Sequence, residues 1–160
     1  MTRWMGLIRG SGLALGVWVV LAPVPAAAET SPLVGTWRWN SALSRLPAGE
    51  AVPAAVTATI ARADAAHVHW TITMAAGQGQ KASRSFDVPA NGEAYPISSD
   101  TTAAVTLNGP GLKAVFNGPN GEIDTLSCAV ADAGKRMTCT GQVQDKDKKT
   151  SSYVDVYDRI

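Results

Sequence analysis

The chain is poor in the side chains that build most catalytic and metal sites. Its 160 residues contain two cysteines, Cys128 and Cys139, two histidines, His67 and His69, and only 6% aromatics. Charge has no dominant sign either, with 14 lysines and arginines against 13 acids. Without a basic surplus to neutralise phosphates, nucleic acid is not an expected partner. No Gly-rich phosphate loop and no G-x-S-x-G elbow occurs, and no motif ties a serine to a histidine. These absences argue against an enzyme and against a bound cofactor. Long apolar runs are missing as well. Gly12 to Ala22 is followed by Pro23 and Pro25, well short of the roughly 20 residues a spanning helix needs.

That short run belongs to a recognisable order of segments. Arg3 and Arg9 open the chain with positive charge, the apolar run follows, and "PVPAAA" ends in small residues. This is the layout of a secretory signal peptide over 1–28, with Ala26-Ala27-Ala28 as the cleavage site. No cysteine follows the leader to carry a lipid, so the expected product is free of the membrane. Removing 28 residues from 160 leaves a single domain, 29–160, with 12 basic and 13 acidic residues. The expected location is the periplasm or the medium, where an oxidising environment makes Cys128 and Cys139 a disulfide rather than a redox or metal pair.

Within 29–160 the prevailing period is two. "HVHWTITM" sets Val68, Trp70, Ile72 and Met74 on one face, with His67, His69, Thr71 and Thr73 on the other, as a half-buried strand requires. "AAVTATIAR" alternates in the same way. Turn chemistry separates such runs at 77–80, 90–93, 108–111, 117–121, 132–135 and 145–149. The pattern predicts ten strands: 34–40, 54–62, 67–76, 81–88, 94–98, 101–107, 112–116, 122–131, 136–144 and 150–158. The predicted fold is an all-β, antiparallel up-and-down meander closed into a barrel of about 8–10 strands, since closure removes the open edges. The Pro/Ala-rich "LPAGEAVPAA" joins the first two strands without a helix signal. If "DAGK" is a four-residue hairpin loop, Ala131 faces Arg136 and Cys128 lies opposite Cys139, close enough to be bridged.

At "LVGTWRWN" the chain resembles a known superfamily. Gly35-Thr36-Trp37 is similar to the G-x-W motif that opens the first strand of lipocalins and related calycin barrels. "GTWRWNSALSRLPAG", "NGEAYPIS" and "AGKRMTCT" resemble segments of small exported bacterial lipocalin-like proteins. The resemblance implies that Trp37 closes one end of the barrel and that Arg159, in "VDVYDRI", packs across it. Trp39, on the same face, would extend the core. The implied function is binding of a small hydrophobic ligand by a monomeric barrel. A protein-binding module such as a periplasmic protease inhibitor, or a purely structural domain, is the alternative. Inhibitors of that shape carry their disulfide nearer the N-terminus, whereas this one closes a late hairpin.

The expected lining of the interior is Trp70, Ile72, Met74, Phe86, Leu107 and Phe116, with Arg84 sharing the inward parity of Phe86 and Val88. A buried arginine needs a partner. Arg84 either holds a ligand carboxylate by its fork, or sits at the mouth, reaching water or an acid such as Asp124. His67 and His69 share a face at a spacing that can chelate a metal, but no third ligand accompanies them, so no metal site is expected. Small residues at Ala58, Ala82, Ala103, Ala114 and Gly141 leave room for a cavity unless opposing side chains fill it. Sequence alone leaves both outcomes open.

Overall fold

The computed structural model describes residues 30–75 and 81–160. The expected leader, 1–28, and the "GQGQ" turn at 77–80 lie outside the described residues. Ten strands follow one another: β1 Gly35–Trp39, β2 Ala55–Ala63, β3 Val68–Ala75, β4 Lys81–Val88, β5 Asn91–Pro96, β6 Thr102–Asn108, β7 Gly111–Asn117, β8 Ile123–Ala131, β9 Arg136–Gln144 and β10 Thr150–Arg159. They form one sheet in the order β4-β3-β2-β1-β10-β9-β8-β7-β6-β5. Every pair is antiparallel. Pairing of β1 with β10 curls the meander into a barrel that is nearly closed. The two remaining edges, β4 and β5, are joined by Pro89 and Ala90 but are not paired with each other. Inside this seam, Phe86 of β4 and Phe116 of β7 meet edge to face at 5.7 Å.

Alternation decides which side chains enter the core. Val56, Ala58 and Ile60 of β2 are buried; a bulge at Ala61 then shifts the parity so that Ala63 is also buried. On β3, Val68 and Trp70 point in. The outer face carries a polar ladder to β4, in which Thr71 meets Ser85 at 2.8 Å and Thr73 meets Ser83 at 3.1 Å. The expected strand bounds hold within a residue or two except at β5. There the "ANGE" segment is not a turn. Asn91 already pairs with Thr106, and a bulge between Asn91 and Ala94 takes up Gly92 at φ +81°. Asn-Gly chemistry serves a bulge as well as a turn, because both need a left-handed residue.

In a meander, alternate turns fall at alternate ends. One end holds the turns β2–β3, β4–β5, β6–β7 and β8–β9, and it is filled. Leu33, Trp37, Val68, Leu112 and Met137 have at most 1% of their surface exposed. Trp37 plugs this end, as the resemblance implied, and its indole N–H donates to Leu33 O at 2.9 Å. Arg159 lies 4.1 Å over the Trp37 ring. Its guanidinium donates to the carbonyls of Val34 (2.7 Å), Pro32 and Gly134. Gly35 is required beside it, since a Cβ there would collide with the guanidinium. Cys128 and Cys139 are directly opposed on β8 and β9 and bonded to each other, with Cα atoms 3.9 Å apart. The β1–β2 link is irregular, as expected. Beyond the end of β1 it stays beside β10 through an Arg45–Val154 bridge, with N···O distances of 2.7 and 2.8 Å.

Candidate functional site

The opposite end of the barrel is hollow. A cavity of about 640 Å³ opens there, within the range of small-molecule sites. Its rim includes Leu46, Glu50 and Pro53 of the β1–β2 link and Ile97 after β5. Both possibilities left open by the sequence therefore hold, one at each end: filled over Trp37, empty at the other mouth.

Of the seven side chains expected to face the interior, six, Trp70, Ile72, Met74, Arg84, Phe86 and Phe116, lie in the wall of this cavity. Trp70, Phe86 and Phe116 form a chain of rings with successive centroids 6.0 and 5.7 Å apart. Met74 is at the rim, 42% exposed. Leu107 packs with the core and is not part of the wall. Arg84 is also exposed. Its expected partner Asp124 is bonded elsewhere, and Arg84 makes no ion pair among the described residues. Its charge is instead one of the weaker influences holding the Asp100 carboxyl below its usual range, behind the hydroxyls of Ser98 and Thr101.

Of the small residues expected to make room, only Ala82 lines the cavity. The others have their space taken by cross-strand neighbours. Ala58 sits between Trp37 and Ile72, Ala103 between Tyr95 and Phe116, and Ala114 between Val105 and Leu126. Gly141 is the clearest correction: the Tyr153 ring lies over it and fills the position a Cβ would occupy. Crossing β9 at this glycine, the Tyr153 hydroxyl reaches Asp124 on β8, at 2.9 Å to Oδ1 and 3.2 Å to Oδ2.

Of the polar side of the cavity, only Arg84 and Asp124 were anticipated. Trp39 packs half-buried against the core, as expected, but also stands in the cavity wall, where its indole N–H donates to Asp155 Oδ1 at 2.7 Å. Tyr153, Asp155 and Tyr157 of β10 all face inward. Counting back by twos from Arg159, already assigned to the interior, reaches each of them; that was the available signal. Burial pushes the Asp155 carboxyl above its ordinary value, partly offset by the Trp39 bond, and Glu50 adds repulsion. Burial likewise raises Asp124, against the Tyr153 hydrogen bond, with Glu122 and Asp155 adding to the rise. The Tyr153 and Tyr157 phenols are pushed far up, first by burial and then by Asp124 and Asp155 respectively.

The histidines lie outside the barrel wall facing β4. His67 Nδ1 is 2.9 Å from Asp87 Oδ1, and His69 Nε2 is 3.2 Å from Ser85 Oγ. Among the described residues no three His, Cys, Asp or Glu side chains converge as metal ligands. Nor is any helix there long and apolar enough to cross a membrane.

The class defined by this architecture is the ten-stranded antiparallel meander barrel, here plugged by a tryptophan at one end and hollow at the other. Solved structures share the barrel fold. A secretory abundant heat soluble protein 4 from Ramazzottius varieornatus superposes with a TM-score of 0.54 at 16% identity, over 84% of this chain and 99% of that one. The Caenorhabditis elegans lipid binding protein 8 gives 0.57 at 10% identity, over 84% of this chain and 100% of its own. A point mutant of the fluorescent protein UnaG gives 0.54 at 18% identity, over 81% of this chain and 96% of that chain. Identities this low establish the fold alone. No family model and no curated protein sequence matches the chain.

Proposed function

We propose that the chain is an exported barrel that holds a small, largely apolar molecule in the cavity at its open end. One observation carries this reading: an interior of about 640 Å³ whose wall includes a continuous run of aromatic rings and Ile72. Empty apolar space of this size, open to water at one mouth, is stabilised by an occupant that removes it from solvent. A fold shared with a lipid binding protein accords with the proposal. The reading is of a binder rather than a catalyst. Among the described residues no serine, threonine, histidine or lysine lines the cavity, and its cysteine, Cys139, is held in the disulfide. Export is supported by the leader-like order of 1–28 and by the disulfide. The protein is proposed to act as a monomer without a cofactor.

The test is native mass spectrometry of the purified protein, with a bound small molecule as the expected result. Titration with alkyl compounds is the companion measurement. Trp39 and Trp70 lie in the wall, so occupancy is expected to change tryptophan emission. No adduct, together with no emission change across a series of apolar compounds, would refute the proposal.

A further inference from the structure

The charge of the cavity is lopsided. Among the described residues, Glu50, Glu122, Asp124 and Asp155 line it, against a single cation, Arg84. None of these five is in an ion pair with another described residue. Arg84 is exposed at the seam strand β4, while Asp124 and Asp155 are half-buried, so the field inside is negative where water screens it least. Asp155 accepts from Trp39 through Oδ1 only, which leaves Oδ2 to accept from an occupant. A ligand carboxylate placed here would meet four like charges.

We propose that the cavity selects an apolar molecule carrying a protonated amine, with the ammonium set against Asp155 and Asp124 and the hydrocarbon against Ile72, Phe86 and Phe116. This rests on the binding function proposed above and names its ligand class: a cationic amphiphile, not a fatty acid. Burial raises both aspartates, so the empty cavity carries an electrostatic cost that a cation removes and an anion increases. Arg84 does not reverse this, because its guanidinium is solvated at the rim.

Three probes of equal chain length separate charge from hydrophobicity: dodecylamine, dodecanol and dodecanoate, each titrated below its micellar concentration and followed by tryptophan emission and calorimetry. The amine is expected to bind about tenfold more tightly than the alcohol, the increment of a charge-assisted hydrogen bond, and the alcohol more tightly than the carboxylate. In Asp155→Asn the amine's advantage over the alcohol should fall to within about threefold while alcohol binding persists. Asp124→Asn, at a separate position, is expected to reduce the same advantage less, and guards against a folding defect in the first variant. Dodecanoate binding as tightly as dodecylamine would overturn the charge selection and leave the apolar cavity in place. An amine advantage unchanged in both variants would also overturn it, as would failure of all three probes to bind; that failure together with no adduct in native mass spectrometry would overturn the binding function as well.

Discussion

At Gly35 the backbone has φ +152°, and the space a side chain would need belongs to the Arg159 guanidinium. The glycine of G-x-W is thus bound to an arginine near the far end of the chain, since the two make a single device with Trp37 between the barrel's first and last strands. Gly35→Ala should cost about 2–3 kcal/mol, combining backbone strain with displacement of a charged side chain. The cost should be smaller in an Arg159→Ala background, where nothing stands in the way of the new methyl. Urea denaturation of the four proteins in this cycle measures the coupling, and simple additivity would contradict the argument. Gly141 plays a comparable part for the cavity. Gly141→Ala pushes against the Tyr153 ring and breaks its bond to Asp124, so it is expected to lower the melting temperature more than Tyr153→Phe, which removes only the hydroxyl. The packing of Arg159 across Trp37 was visible in the sequence only through its resemblance to a family, and the fit of Gly35 against the guanidinium was not visible. Nor was that of Gly141 against Tyr153, because a glycine read alone looks like free space.

The elements were more legible than the residues. Period-two alternation specifies a strand and its faces together, so one secure register propagates to its neighbours. The β8–β9 hairpin shows this: counting outward from a four-residue loop placed Cys128 opposite Cys139, and the two are paired so. A Cys128→Ala, Cys139→Ala variant is expected to lose about 3 kcal/mol, from the entropy of closing a short loop in the unfolded chain. Denaturant midpoints measure the loss, and amide exchange should quicken first in β8 and β9. Where one local signal serves two structures, legibility ended. Asn91-Gly92 marks a left-handed residue, and nothing local says whether the chain reverses there or bulges within β5. The polar wall escaped for a related reason. Inward positions were chosen by their apolar residues, so Asp124 was named only as a possible partner of Arg84 at the mouth and Asp155 not at all, although their parity matches Leu126 and Tyr157. Burial of a carboxylate is decided by distant partners, here Tyr153 for one and Trp39 for the other, and strand pattern does not record these.

Across the described residues, five aspartates fall into two groups with opposite effects on stability. Outside the cavity, Asp64 is held down to about 2 by the Arg62 hydrogen bond and by the backbone N–H groups of His67 and Ala66. Asp100 and Asp158 are lowered chiefly by hydrogen bonds from Ser98 and Asn40. These groups favour the fold while ionised; below the ordinary value of 3.8 the unfolded chain takes up protons first, so their contribution fades as pH falls toward 2. Asp124 and Asp155 behave in reverse. Their folded carboxyls hold protons above 3.8, so the native state binds more protons than the unfolded chain and stability declines as pH rises through that window. The empty protein is therefore expected to be most stable near the ordinary aspartate value, with a limb descending on either side. Asp124→Asn, Asp155→Asn should raise the melting temperature at neutral pH by a few degrees and flatten the upper limb, leaving the acid limb unchanged. Thermal melts from about pH 2 to 8 would show this, and an upper limb that survives the double substitution would mean that the cavity acids are not its source. Saturating dodecylamine should flatten the same limb in the unsubstituted protein, because a bound ammonium removes the cost of ionising the two aspartates.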